Sequence, residues 1–232
     1  MKRILVIVAA IFIVNNTFSQ VKFGIKGGAN LASVSDVKVK MEGVSVDIYN
    51  NDGISFGFLA GVFTNISVGK FLAFQPELLF SMQGGRQKFS SNVLEEWQKS
   101  LDHGTHYRFN YINLPLLLEI KIANTGIGAL IGPQFGLNVY NSATFRQETK
   151  HGSEFDNLFK QSFGRSPESF DMGLAMGLQY TEDHIILGLR YNLGLTNHFN
   201  ATTYIVNDVN QIKAEYKGWK NNVFQVSVSA FF

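Results

Sequence analysis

The chain has 232 residues, of which 20 are Lys or Arg and 18 are Asp or Glu, so its formal net charge is +2 and composition gives no electrostatic basis for binding nucleic acid. It contains no cysteine, which excludes a disulfide framework and a lipid-modified N-terminal cysteine. Aromatic residues make up 13% of the chain and Gly numbers 22 against 4 Pro, a balance that suits many closely approaching strands and not a disordered polar chain.

The opening residues, MKRILVIVAAIFIVNNTFSQ, read as a secretory signal peptide. Lys2 and Arg3 precede an apolar run from Ile4 to Val14, and Thr17 and Ser19 supply the small residues before a cut between Ser19 and Gln20. The run is 11 residues long, short of the roughly 18 to 20 that a spanning helix needs. Cleavage after residue 19 leaves one domain, residues 20–232, and taking Lys2 and Arg3 from the 20 basic residues leaves 18 against 18 acidic ones. The most apolar later window, INLPLLLEIKIA, contains Glu119 and Lys121, so a helical membrane span is excluded there as well.

From residue 21 onward the apolar period is two. It predicts eight strands, at Val21–Val34, Ile54–Ile66, Lys70–Gln83, His106–Ala123, Gly126–Asn141, Ser169–Thr181, His184–Phe199 and Gly218–Phe232. Their connections alternate in length: SVG, NT and ED are short, whereas 35–53, 84–105, 142–168 and 200–217 are long. An up-and-down barrel with eight strands places all the short turns at one rim and all the long loops at the other, the pattern of an outer-membrane barrel. The fold class expected is therefore all-β, an eight-stranded antiparallel transmembrane barrel.

The faces agree with this. The seventh strand sets Ile185, Leu187, Leu189, Tyr191, Leu193 and Leu195 against Gly188, Arg190, Asn192 and Gly194. The last strand sets Phe224, Val226, Val228, Ala230 and Phe232 against Gln225, Ser227 and Ser229. Alternation alone does not say which face is inside. The polar face is rich in Gly and Ala, which suits a cramped interior, and Phe71, Tyr107, Phe109, Tyr140, Tyr180, Trp219 and Phe232 gather near strand ends as interfacial girdles would. Against the reading, Pro76, Pro115 and Pro133 fall within strands, where each is expected to mark a bulge or an unpaired carbonyl, and Leu59 and Phe63 are apolar on an inner face.

Eight strands enclose an interior that side chains fill, so open diffusion through the lumen is not expected. The inward set holds Lys26, Glu77, Glu119, Lys121 and Arg190, all in the half nearer the short turns, where three cations face two carboxylates as a structural ionic cluster. Among the long loops, VKVKMEGVSVDIY reads as a hairpin. NVLEEWQKSL carries Trp97 on an apolar helical face, and SEFDNLFKQSF carries Phe155, Phe159 and Phe163 on another, together a loop contact surface. His103 and His106 have H-x-x-H spacing in a loop, a weak metal signal, and no Ser and His share a nucleophile motif. No catalytic, cofactor or metal residue is assigned.

FGIKGGANLASV, LAFQPELLFS, YINLPLLLEIKI and GPQFGLNV together resemble the PorT-type outer membrane β-barrel domain family of the Bacteroidetes. The resemblance covers the mature chain and implies a Gram-negative outer membrane location, with loops extracellular and both termini periplasmic. It implies as partners the membrane lipid and lipopolysaccharide, the outer-membrane assembly machinery, for which terminal Phe232 resembles the signal, and envelope or secretion proteins met through the loops. It implies little about activity, because most members have no assigned role; the name-giving member belongs to type IX secretion and gliding. The function expected is a non-enzymatic barrel with a binding or structural role. The alternatives are an accessory role in type IX secretion and a lipid A-modifying enzyme.

Overall fold

The structure, a computed structural model, describes residues 21–41, 44–89, 105–145, 148–151, 153–154, 169–197, 199–206 and 211–232. Residues 1–20, where a signal peptide is expected, and Trp97, Phe155, Phe159, Phe163 and His103 lie outside the described residues. Among the described residues thirteen strands are formed: β1 Val21–Val34, β2 Val37–Met41, β3 Val44–Gly53, β4 Ser55–Ser67, β5 Leu72–Phe89, β6 Thr105–Lys121, β7 Ile127–Phe145, β8 Glu148–His151, β9 Phe170–Glu182, β10 Ile185–Gly194, β11 Phe199–Val206, β12 Gln211–Gly218 and β13 Asn221–Phe231. Among the described residues no helix is long and apolar enough to cross a membrane.

Eight of these strands close into an antiparallel barrel in the order β1-β13-β10-β9-β7-β6-β5-β4. The closing ladder runs from Gly24 opposite Phe231 to Val34 opposite Asn221, so the apolar terminal strand has no open edge. All eight predicted strands are present.

Burial fixes which face is inside. Ile185, Leu187 and Leu189 are half exposed on the outer wall, whereas their neighbours Arg190 and Asn192 are 6% and 3% exposed in the lumen. Apolar side chains outside and polar ones inside invert the arrangement of a soluble barrel, and such a wall is stable only against lipid.

The short turns carry the backbone chemistry that tight links need. Gly69 and Gly126 have φ of 86° and 69°, and Asn124 and Asp183, residues that tolerate the left-handed region, have 61° and 50°. In the Asn124 turn the Thr125 hydroxyl donates to the Ile122 carbonyl (2.9 Å) and accepts from the Ile127 amide (3.1 Å).

Of the two outcomes expected at the prolines, a bulge or an unpaired carbonyl, the structure excludes the bulge. None makes a bulge: Pro76 stands opposite Leu116, Pro115 opposite Gln134 and Pro133 opposite Leu174, and the register is the same on both sides of each. Constant register also places Pro133 across from Leu116, so the three lie in one short band of β5, β6 and β7 and their missing donors share one local interruption. The register shift lies instead between Asn110 and Tyr111, higher on β6. Close packing in the same band depends on Gly132, because a Cβ there would stand 2.0 Å from the Leu116 carbonyl oxygen. Gly132→Ala is expected to destabilise the barrel by about 1–3 kcal/mol, the usual range for overpacking, seen as a lower urea midpoint of the folded gel band.

The wall continues past the barrel on the long-loop side. β5 pairs with β4 along its lower half and with β3 at Arg86–Phe89, and from β3 the sheet extends through β2 and β12 to β11. The β2–β3 hairpin is the one predicted from VKVKMEGVSVDIY. The β11–β12 hairpin lies within a stretch read from sequence largely as a bare connection.

Candidate functional site

Alternation sends every second side chain of the eight barrel strands into the lumen, where they stack in levels. Nearest the short turns, Lys22, Asn65, Ser67, Glu119, Lys121 and Gln179 surround a cavity of about 310 Å³. Here Asn65 Nδ2 donates to Glu119 Oε2 (2.7 Å) and Lys121 Nζ donates to Ser67 Oγ (2.9 Å).

The next level is an ionic brace. Arg190 Nη1 and Nη2 donate to the two oxygens of Glu77 at 2.8 and 2.7 Å, and Lys26 Nζ donates to Glu77 Oε1 at 2.5 Å. Gln75 Nε2 donates to the same Oε1 at 2.8 Å. Between β5 and β10 stand three strands on either side of the ring, so the Arg190–Glu77 pair crosses the lumen from opposite walls. The paired fork of a guanidinium on a carboxylate is the strong form of this contact. Lys26 also lies over the Phe63 ring, 5.4 Å from its centre. That explains the apolar inner position on β4: Phe63 is buried between the lysine and the Phe231 ring, 5.3 Å away.

Of the five predicted lumen charges the structure therefore brings together three. Glu119 and Lys121 share the inward face but sit a level lower, each held by a neutral partner, so one carboxylate serves two cations.

Above the brace, Asn30 Nδ2 donates to Ser81 Oγ (3.0 Å) and Gln225 Nε2 donates to Asn30 Oδ1 (3.0 Å), linking β1, β5 and β13. The top level is apolar. Val34, Val37, Tyr107, Phe109, Tyr111, Ala143 and Trp219 form one buried cluster. Trp219 lies with its ring centre 4.5 Å from that of Tyr107 and 5.9 Å from that of Phe109, and its indole N–H donates to Gln87 Oε1. Gln87 Nε2 in turn donates to the Ser35 carbonyl (3.0 Å).

This corrects the assignment of Tyr107, Phe109 and Trp219 to an interfacial girdle. They are inside, 9%, 2% and 2% exposed, whereas Phe71, Tyr140, Tyr180 and Phe232 are exposed as a girdle requires. The parity was available: Tyr107, Phe109 and Tyr111 share odd numbering on β6 with the lumen residues Asn113 and Glu119. Phe232 donates its amide to the Phe23 carbonyl at the seam (2.9 Å). Among the described residues no cluster of His, Asp or Glu has the geometry of a metal site.

Residues 15–200 match the family described as outer membrane protein beta-barrel domain. The chain belongs to that family. Solved structures similar to this family member include Neisserial surface protein A (NspA), 11% identical, with a TM-score of 0.44 and coverage of 90% of this chain and 97% of that one. They also include OprG from Pseudomonas aeruginosa, at 16% identity and a TM-score of 0.43, covering 91% and 95%. The attachment invasion locus protein Ail of Yersinia pestis is 12% identical, with a TM-score of 0.39 and coverage of 92% and 99%. No curated protein matches the chain.

Proposed function

We propose that this outer membrane barrel is a non-enzymatic envelope protein whose long-loop sheet is its binding or structural surface. The observation that carries the reading is the continuous sheet β5-β3-β2-β12-β11, which makes two of the long connections a folded platform tied to the barrel wall. The sealed lumen is in keeping with it, since brace and aromatic cluster block the interior at two levels. The orientation that goes with this function has the platform outside the cell and both termini in the periplasm, as is usual for barrels with short turns at one rim.

The test is a barrel in which residues 37–53 and 199–218 are each replaced by a short turn. It is expected to insert normally, judged by heat-modifiable migration, but not to restore the envelope defect of a deletion strain. A deletion strain with an altered lipid A mass spectrum would make the protein an enzyme, and one that loses cargo export would make it a secretion component. Full complementation by the trimmed barrel would overturn the platform's role.

A further inference from the structure

The outer wall changes chemistry just beyond its apolar belt. On β5 the outward positions run from Leu72 through Phe74, Leu78 and Phe80 to Met82, then pass Gly84 to Arg86 and Lys88. On β6 they run from Ile120 up through Leu114 and Ile112, and Arg108 follows four positions beyond Ile112. Four residues span about 13 Å of strand, or about 10 Å of height at a tilt near 40°. Long side chains at that height reach the headgroup layer bordering a hydrocarbon core about 30 Å thick.

Register brings these cations together. Arg86 pairs with His106 and Gly84 with Arg108, so the two arginines sit on a diagonal of adjacent strands, about 7–8 Å apart. Gly84 leaves the position across from Arg108 without a side chain. The side chains of Arg86 and Lys88 are 49% and 42% exposed, and Arg108 is exposed as well. Among the described residues the carboxylate that contacts the patch is Asp52, 3.2 Å from Arg86 Nε and 2.9 Å from Lys88 Nζ. His106, across from Arg86, lies between the arginines.

We propose that Arg86, Lys88 and Arg108 form a binding site for the phosphate of a membrane lipid headgroup, seated against the outer wall at the long-loop edge of the belt. Guanidinium groups match phosphate oxygens in pairs, and a diagonal pair of arginines with a lysine beside them closes on one phosphate from two strands. The lipid is favoured over a soluble anion by position. The cations point outward from the wall at headgroup height, not upward from the platform, so a soluble ligand would have to displace the bilayer edge to reach them.

The folded full-length barrel in detergent, titrated with diphosphorylated lipid A or with the same lipid dephosphorylated, provides the test by native mass spectrometry. The phosphorylated form is expected to bind about tenfold more tightly. Arg86→Gln with Arg108→Gln is expected to abolish that preference, and Lys22→Gln with Lys70→Gln, at the opposite rim, to leave it intact. Arg108→Gln alone keeps the Asp52 ion pairs and should lose at least half of the preference, which serves if the double variant does not fold. Equal binding of the two lipids, an equal loss in the opposite-rim variant, or displacement of lipid A by excess inorganic phosphate would each overturn the site.

Discussion

Glu77→Gln is expected to lower the unfolding free energy by about 3–5 kcal/mol, the range for removing one partner of a buried charge pair. The change preserves shape but leaves Lys26 and Arg190, 8% and 6% exposed, without the carboxylate that holds both. The readout is the urea midpoint of the folded band in detergent. Glu119→Gln supplies the internal comparison. Glu119 is equally buried, but the partner seen for it is the neutral amide of Asn65, so about 1.5–3 kcal/mol is expected, the worth of a hydrogen bond to a charged group. Lys26→Met should also cost less than Glu77→Gln, because the Arg190 fork on Glu77 survives it. If the Glu77 variant is no less stable than the Glu119 variant, the brace does not hold the barrel together.

Trp219→Ala is the second large effect, at about 3–5 kcal/mol, typical of truncating a buried tryptophan. It removes the ring that packs on Tyr107 and Phe109 and leaves Gln87 Oε1 without its indole donor. In planar bilayers the variant is nevertheless expected to stay closed, because the Arg190–Glu77 brace crosses the lumen below it. A conducting Trp219→Ala barrel would mean that the aromatic cluster is the sole barrier and that the brace does not seal.

The eight barrel strands are legible because most set an outward apolar row against small or polar inward residues, Leu59 and Phe63 on β4 being exceptions, and because the short turns alternate with long links. Face was legible for the same reason, down to Lys26, Glu77, Glu119, Lys121 and Arg190 all pointing inward. Height was not. Where Glu119 sits relative to Glu77 depends on the stagger of β6 against β5, whose constant register puts Glu119 four residues nearer the short turns than the position across from Glu77, an offset that leaves no mark in the period. Trp219 and Tyr107 fall outside the girdle for another reason: parity, and not nearness to a strand end, decides the face. The β12 hairpin strand leaves a trace, since QIKAEYKG alternates, but it has no apolar row long enough to cross a membrane and so does not stand out from a link. The sequence phrases that resemble the PorT-type domain carried the family and the fold, and nothing finer.

β5 belongs to two structures at once, lying in the barrel at one end and in the platform at the other, with Gly84 (φ 147°) and Gly85 between them on a strand that stays paired to β6 throughout. A load applied to the platform is therefore borne by the same backbone that forms the wall. Force along β5 meets its hydrogen bonds to β4 and β6 side by side, as a seam pulled lengthwise, where many bonds must slip together, and not as a zipper opened one tooth at a time. A pull on the platform therefore reaches the barrel wall through β5 itself.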